Sequence, residues 1–169
     1  FHTRQNHPYH IHDVAVHSLH AVENVPPDSI LRWVMLLHDI GKPLTKSVDK
    51  KGVEHFYGHS EKSFSLALDI LGRFNFSKAF IKRAATLIKE HDRVIELFEK
   101  AVRRAVSLLG EDIFLDLLKV IEADIKAQNP EFMEDRLRNI ENIKSVYQRV
   151  KTRGNCLSKK ELAINGDYL

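Results

Sequence analysis

RWVMLLHDIGK, residues 32–42, is the stretch on which the fold turns. Trp33, Val34, Met35, Leu36, Leu37 and Ile40 crowd most sides of a helix, and such a helix belongs at the centre of a domain. At its end stand His38 and Asp39, an imidazole and a carboxylate where the pattern would otherwise continue with leucines. Burying a polar group without a partner costs roughly 2–7 kcal/mol, and a charge more. Something must therefore satisfy the two side chains. A bound metal ion is one answer, and a hydrogen-bonded buried pair is the other.

Working outward, the apolar periodicity is helical nearly throughout. Residues 13–22 read as a first helix, with Val14, Val16, His17, Leu19 and His20 on its inner side, and VPPD (25–28) breaks it. Asp28 is the expected N-cap of the central helix, which starts at Ser29. Gly41 is its expected C-terminal cap, and Pro43 bars continuation. Residues 45–58, TKSVDKKGVEHFYG, change character: DKKG is a turn signal between short segments that can pair as a small hairpin. Helices are then expected over 59–72, from a Ser77 cap to His91, over 99–109 up to Gly110, and over 112–128. Asn129-Pro130 opens a last long helix toward Arg153, with asparagine at the cap and proline at the first helical position. Ser158 is positioned to cap a short final turn.

The expectation is an all-α domain of about seven helices with a possible hairpin at 45–58. The 169 residues suit one such domain with a sizeable core. It should occupy 1–154, with 155–169 the start of a following region. No run of about 18 apolar residues could span a membrane. The single Cys156 cannot form an internal disulfide, which fits a reducing, cytoplasmic setting. Lys and Arg number 26 against 23 Asp and Glu, so bulk charge says little about partners. Its distribution says more, because residues 144–160 hold six basic residues and no acidic one. Lys144, Arg149, Lys151 and Arg153 can be a solvated face whose cations favour a helix C-terminus. They can also contact a phosphate backbone.

Imidazole and carboxylate together suit Mn, Fe, Co, Ni or Zn, and carboxylates add Mg. His38 and Asp39 differ by about 100° around a helix, so they converge on one ion only at a helix end. His17, on the inner side of the first helix, can supply another ligand. So can Asp124, set among Ile121, Ala123 and Ile125 in IEADIKAQ (121–128). A lone core histidine or aspartate is more often hydrogen-bonded than metal-bound. The ordered set is more specific than its parts.

That order resembles the HD superfamily of metal-dependent phosphohydrolases: His17 in DVAVHSL, His38-Asp39 in LLHDIGK and Asp124 in IEADIKAQ. More narrowly, NHPYHIHDVAVHSLHAVENVP, LLHDIGKP, GVEHFYGHSEKS and LAINGDYL look like the HD region of bacterial CCA-adding tRNA nucleotidyltransferases. The Gly-Ser and paired-carboxylate signature of the nucleotidyltransferase head is missing, so CCA addition by this stretch alone is not expected. The resemblance implies a helical HD bundle and one or two divalent ions. It adds His59 and His91 as ligands of a second ion, with Asp39 bridging. It also implies hydrolysis of a phosphate ester on a nucleotide or RNA end, most narrowly as a 2′,3′-cyclic phosphodiesterase or phosphatase, with a nucleotidase or an idle tRNA-binding module as alternatives. Lys42 beside Asp39 is then a candidate for neutralising a phosphate oxygen, unless it is an exposed helix-end lysine. Arg103 and Arg104 are further phosphate candidates, of which at most one can face the site.

Overall fold

A computed structural model of the chain describes residues 3–6 and 8–153. Within them the helices are α1 (Val14–Asn24), α2 (Ser29–Leu37), the single-turn α3 (Lys42–Thr45), α4 (His59–Arg73), α5 (Lys78–Glu90), α6 (Glu99–Leu109), α7 (Glu111–Lys126) and α8 (Met133–Thr152). Strands β1 (Ser47–Val48) and β2 (Glu54–His55) pair antiparallel, Ser47 opposite His55 and Val48 opposite Glu54. The fold is therefore all-α, with the expected hairpin as its small sheet.

Local chemistry sets most of the boundaries. Asp13, Asp28 and Ser77 each accept a backbone N–H of the first turn and so cap α1, α2 and α5. Gly110, at φ 84°, ends α6 and starts α7 in a backbone region costly for other residues. Asn129 accepts the N–H of Glu131, but Pro130–Phe132 form a 3₁₀ turn before α8 begins. The proposed Ser158 cap and the 155–169 segment lie outside the described residues.

Helix α2 is central and packs against α1, α5 and α7. Leu31, Val34 and Met35 are at most 1% exposed. Two expectations are corrected around it. The buried face of α1 is Val14, His17, Ser18 and Ala21, whereas Val16, Leu19 and His20 are not buried. Positions 14, 17, 18 and 21 follow the helical repeat, so geometry overrides the apolar identity of Val16 and Leu19. Also, α2 stops at Leu37, and Gly41 is no left-handed cap: its φ is −77°. Pro43 does not end helical structure either, because it occupies the first turn of α3, where its missing N–H is harmless.

Space dictates Gly41. A Cβ there would lie 2.4 Å from the backbone oxygen of His59 and 2.7 Å from the nitrogen of Ser63. The Gly41 N–H donates to Ser63 Oγ at 2.9 Å, which clamps the turn after Asp39 to the first turns of α4. Gly41→Ala should therefore destabilise the fold by about 1–3 kcal/mol through forced backbone shifts. That corresponds to a thermal midpoint lower by roughly 3–10 °C. Gly72→Ala, whose Cβ meets nothing within 4 Å, is the control and should not lower the midpoint. Equal midpoints for both variants would remove the close-approach explanation.

Candidate metal centre

Four histidines reach one buried point from four helix ends or faces. His17 comes from α1, His38 caps the C-terminus of α2, His59 is the first residue of α4, and His91 caps the C-terminus of α5. All are at most 9% exposed. Each Nδ1 lies within hydrogen-bond distance of a backbone carbonyl: Ala127 for His17 (3.2 Å), Met35 for His38 (2.7 Å), Phe56 for His59 (2.9 Å) and Ile88 for His91 (2.7 Å). A carbonyl can only accept, so each Nδ1 carries the proton. Each ring therefore turns its Nε2 inward, the orientation that such a bond enforces in metal-ligating histidines.

The Nε2 atoms form two pairs, His17 with His38 and His59 with His91, each 3.2 Å apart. Two lone pairs at that distance would repel, so each pair needs a shared proton or a cation beside it. Asp39, 1% exposed, stands between the pairs. Its Oδ2 is 3.6 Å from His17 Nε2 and 3.3 Å from His38 Nε2. Its Oδ1 is 3.3 Å from His59 Nε2 and 3.6 Å from His91 Nε2. Neither oxygen receives a hydrogen bond among the described residues, although the Lys42 ammonium lies 2.6 Å from Oδ2.

A second carboxylate flanks each pair. Asp124 Oδ1 lies 2.9 Å from His17 Nε2 and 3.3 Å from His38 Nε2. Asp92 Oδ2 lies 3.1 Å from His59 Nε2. Three groups of donor atoms are close enough to hold an ion: His17, His38 and Asp124; His38, Asp39 and His91; and His59, His91 and Asp92. The residues fit a divalent metal on two grounds. Buried carboxylate oxygens are left without hydrogen bonds, and the donors are the nitrogen and oxygen atoms such ions take.

The electrostatics point the same way. Burial pulls His38 down, but Asp39 and Asp124 outweigh it and push its pKa up to about 10. Against burial, His38 and then Lys42 hold Asp39 well below the carboxylate range, and His17 and His38 do the same for Asp124. Burial also opposes the charged form of His59, yet Asp39 raises it. The pocket thus attracts positive charge even at its most buried point. Farther out, His10 is pulled down to about 3, by burial first and then by Lys42.

Sequence reasoning named six of these residues and missed others. Asp92 lies in a second His-Asp dipeptide, His91-Asp92, which repeats His38-Asp39 at the end of another helix. That repetition was the available signal. Gln128 donates to Asp124 Oδ2 at 2.7 Å and accepts from Arg136, and no motif marks either residue. The cavity over the cluster measures about 390 Å³, and its lining includes Tyr9, Lys42, Glu54 to Ser60, Gln128 and Arg136. The hairpin therefore stands at its mouth. Lys42 is buried, not an exposed helix-end lysine, and its ammonium also donates to Gln5 Oε1 at 2.7 Å.

Arg103 and Arg104 are not brought to this cavity. Arg103 pairs with Glu99 one turn away, and Arg104 lines a separate groove along α6. On α8, Lys144 pairs with Glu122 and Glu141, Lys151 with Glu111, and Arg153, just past the helix end, with Glu99. Arg149 is exposed without an ion pair among the described residues. No described helix is long and apolar enough to cross a membrane.

An all-α domain that gathers histidines and aspartates to one buried point could hold a metal ion, and comparison with known proteins narrows its class. The HD domain family model matches residues 9–129, so the chain belongs to the HD domain family. It is similar to the A-adding tRNA nucleotidyltransferase of Deinococcus radiodurans, 36% identical over 124 residues, covering 72% of this chain and 28% of that protein. It also matches the CC-adding tRNA nucleotidyltransferase of Thermus thermophilus, 36% identical over 95 residues, with 55% and 21% covered. The Multifunctional CCA protein of Nitrosococcus oceani is 27% identical over 127 residues, with 69% and 30% covered. The chain thus spans under a third of the length of these relatives.

If the two histidine pairs serve two ions, His59→Ala or His91→Ala should lower the Mn content at saturation from two per chain to one, measured by elemental analysis after dialysis. Two ions retained in both variants would contradict the division of the cluster into two halves.

Proposed function

We propose that this domain is a metal-dependent phosphohydrolase acting on a phosphate ester of a nucleotide or an RNA end, in its narrowest form a 2′,3′-cyclic phosphodiesterase. The observation that carries the reading is Asp39, a buried carboxylate that turns one oxygen to each of two inward-facing histidine pairs. Family membership supports the reaction class. That two of the relatives are tRNA nucleotidyltransferases supports a nucleotide or RNA substrate.

His17, His38, Asp39 and Asp124 would hold one ion, and His59, His91 and Asp39, joined by Asp92, a second. A divalent cation held there supplies Lewis acidity, which acidifies water and offsets phosphoryl charge. The protein's own part is placement. The carbonyl bonds at the Nδ1 atoms lock the four ring orientations, and Gln128 fixes Asp124 by holding its Oδ2. Lys42, anchored by Gln5, holds Asp39 and places a positive charge in the cavity wall, where it can meet a phosphate oxygen as a point charge. Seating the cluster at the floor of a concavity leaves it open to an ester that enters past the hairpin.

Asp39→Asn keeps the volume but removes the shared charge, so it should abolish hydrolysis of 2′,3′-cyclic AMP while the helical circular dichroism is unchanged. Lys42→Ala should still bind metal and lose tens- to hundreds-fold in kcat/KM, the scale of one charge-assisted contact of about 2–3 kcal/mol. The assay offers Mn, Co, Ni, Zn and Mg in turn, with cyclic phosphates, nucleoside monophosphates and triphosphates. Turnover of monophosphates or triphosphates alone would replace the diesterase by a nucleotidase. No turnover by a metal-loaded protein would overturn the enzymatic reading.

A further inference from the structure

Tyr57 is 76% exposed although it lies two residues from His59 and lines the same cavity. It contributes almost nothing to the core, yet its ring is held in place. It stacks on His55, with centroids 5.0 Å apart and planes 10° from parallel. His55 is fixed in turn by Asp49, 3.2 Å from its Nε2, and Asp49 Oδ1 accepts the N–H groups of Lys51 (2.8 Å) and Val53 (2.9 Å) in the hairpin turn. The hairpin thus ends in an aromatic face that is flat, supported from behind and open to water in front. An aromatic ring already ordered loses little entropy when a second ring stacks on it. Gly58, at φ 75° and with no atom within 4 Å of a built Cβ, makes the left-handed turn that lets the ring and His59 open on one cavity.

The cavity also holds a cation with no acidic partner. Arg136 of α8 lies 5.1 Å from the Tyr9 ring centre and donates to Gln128, and no carboxylate among the described residues pairs with it. Arg103, Lys144, Lys151 and Arg153 all have such partners. A guanidinium held by a ring and an amide keeps donors for an incoming anion.

We propose that the site takes a base-bearing phosphate, a nucleotide or the last nucleotide of an RNA, with the base stacked on Tyr57 and the phosphate reached by Arg136. This rests on the reading of the cavity as a phosphate-ester site and adds the part of the substrate that selects it. Base-free sugar phosphates lack the group that Tyr57 binds.

Calorimetric titration of the Mn-loaded protein with AMP and with ribose 5-phosphate reads the two contacts separately from turnover. The wild type should bind AMP about tenfold more tightly, the scale of one base–aromatic stack. Tyr57→Ala should erase that ratio by weakening AMP alone, and Tyr57→Trp should keep it. Arg136→Gln should weaken both ligands by a similar factor. A ratio near one in the wild type, an unchanged ratio in Tyr57→Ala, or no binding of either ligand would overturn the assignment. A protein that binds AMP preferentially and hydrolyses no ester would sink the phosphohydrolase reading and leave Tyr57 and Arg136 standing. One that hydrolyses esters with no preference for a base would do the reverse.

Discussion

Asp39 is a carboxylate taken almost wholly out of water and set between four imidazole nitrogens that all face it. In a dry interior an unpaired carboxylate is among the most costly groups to bury, and its surroundings must return that cost as attraction. Lys42 returns part of it, 2.6 Å from Oδ2. His38 returns more by drawing a proton, and cations facing the Nε2 atoms would serve the same end. The arrangement therefore gathers positive charge around Asp39, a demand that metal ions can meet. The proton drawn to His38 in the metal-free chain is the same demand met in another way.

The rest of the fold serves that placement. Burying α2 against α1, α5 and α7 delivers His38 and Asp39 to the centre of the domain, and brings His17, His91 and Asp124 from the helices it touches. His59 comes differently, from α4, which the turn after Asp39 can approach only because Gly41 has no side chain. Stability and site geometry are thus coupled at a single close contact. Gln128 and Gln5 extend the support outward, each tying a charged group of the cavity to a buried neutral amide.

Much of this was legible in the residues, and the limits have physical reasons. Helix starts with side-chain caps, at Asp28 and Ser77, could be read because the cap is a local interaction, and Asp13, read as the first helical residue, proves to be a third such cap. The inner face of α1 could not be read from apolar identity, since Val16 and Leu19 are exposed while Ser18 is buried. What decides burial there is the angle around the helix. Gly41 was legible as important but not as a close approach, because its neighbours, His59 and Ser63, come from a different helix. Of the site, His17, His38, Asp39 and Asp124 were readable from pattern, and His59 and His91 through the family resemblance. Gln128 and Arg136 carry no motif and are defined only by three-dimensional neighbours. For Arg103 and most of the basic run at the end of α8, the neighbours in space change the picture. A basic run looks available until its acidic partners, here Glu99, Glu111, Glu122 and Glu141, are located in space.

The central claim is that the Asp39 carboxylate is shared between two cation positions. Anomalous diffraction at the manganese edge, from crystals of this chain grown with Mn, tests it most directly. The account predicts two anomalous peaks, one beside His17, His38 and Asp124 and one beside His59, His91 and Asp92, with an Asp39 oxygen facing each. A single peak, or none with Asp39 still paired only to Lys42, would contradict it.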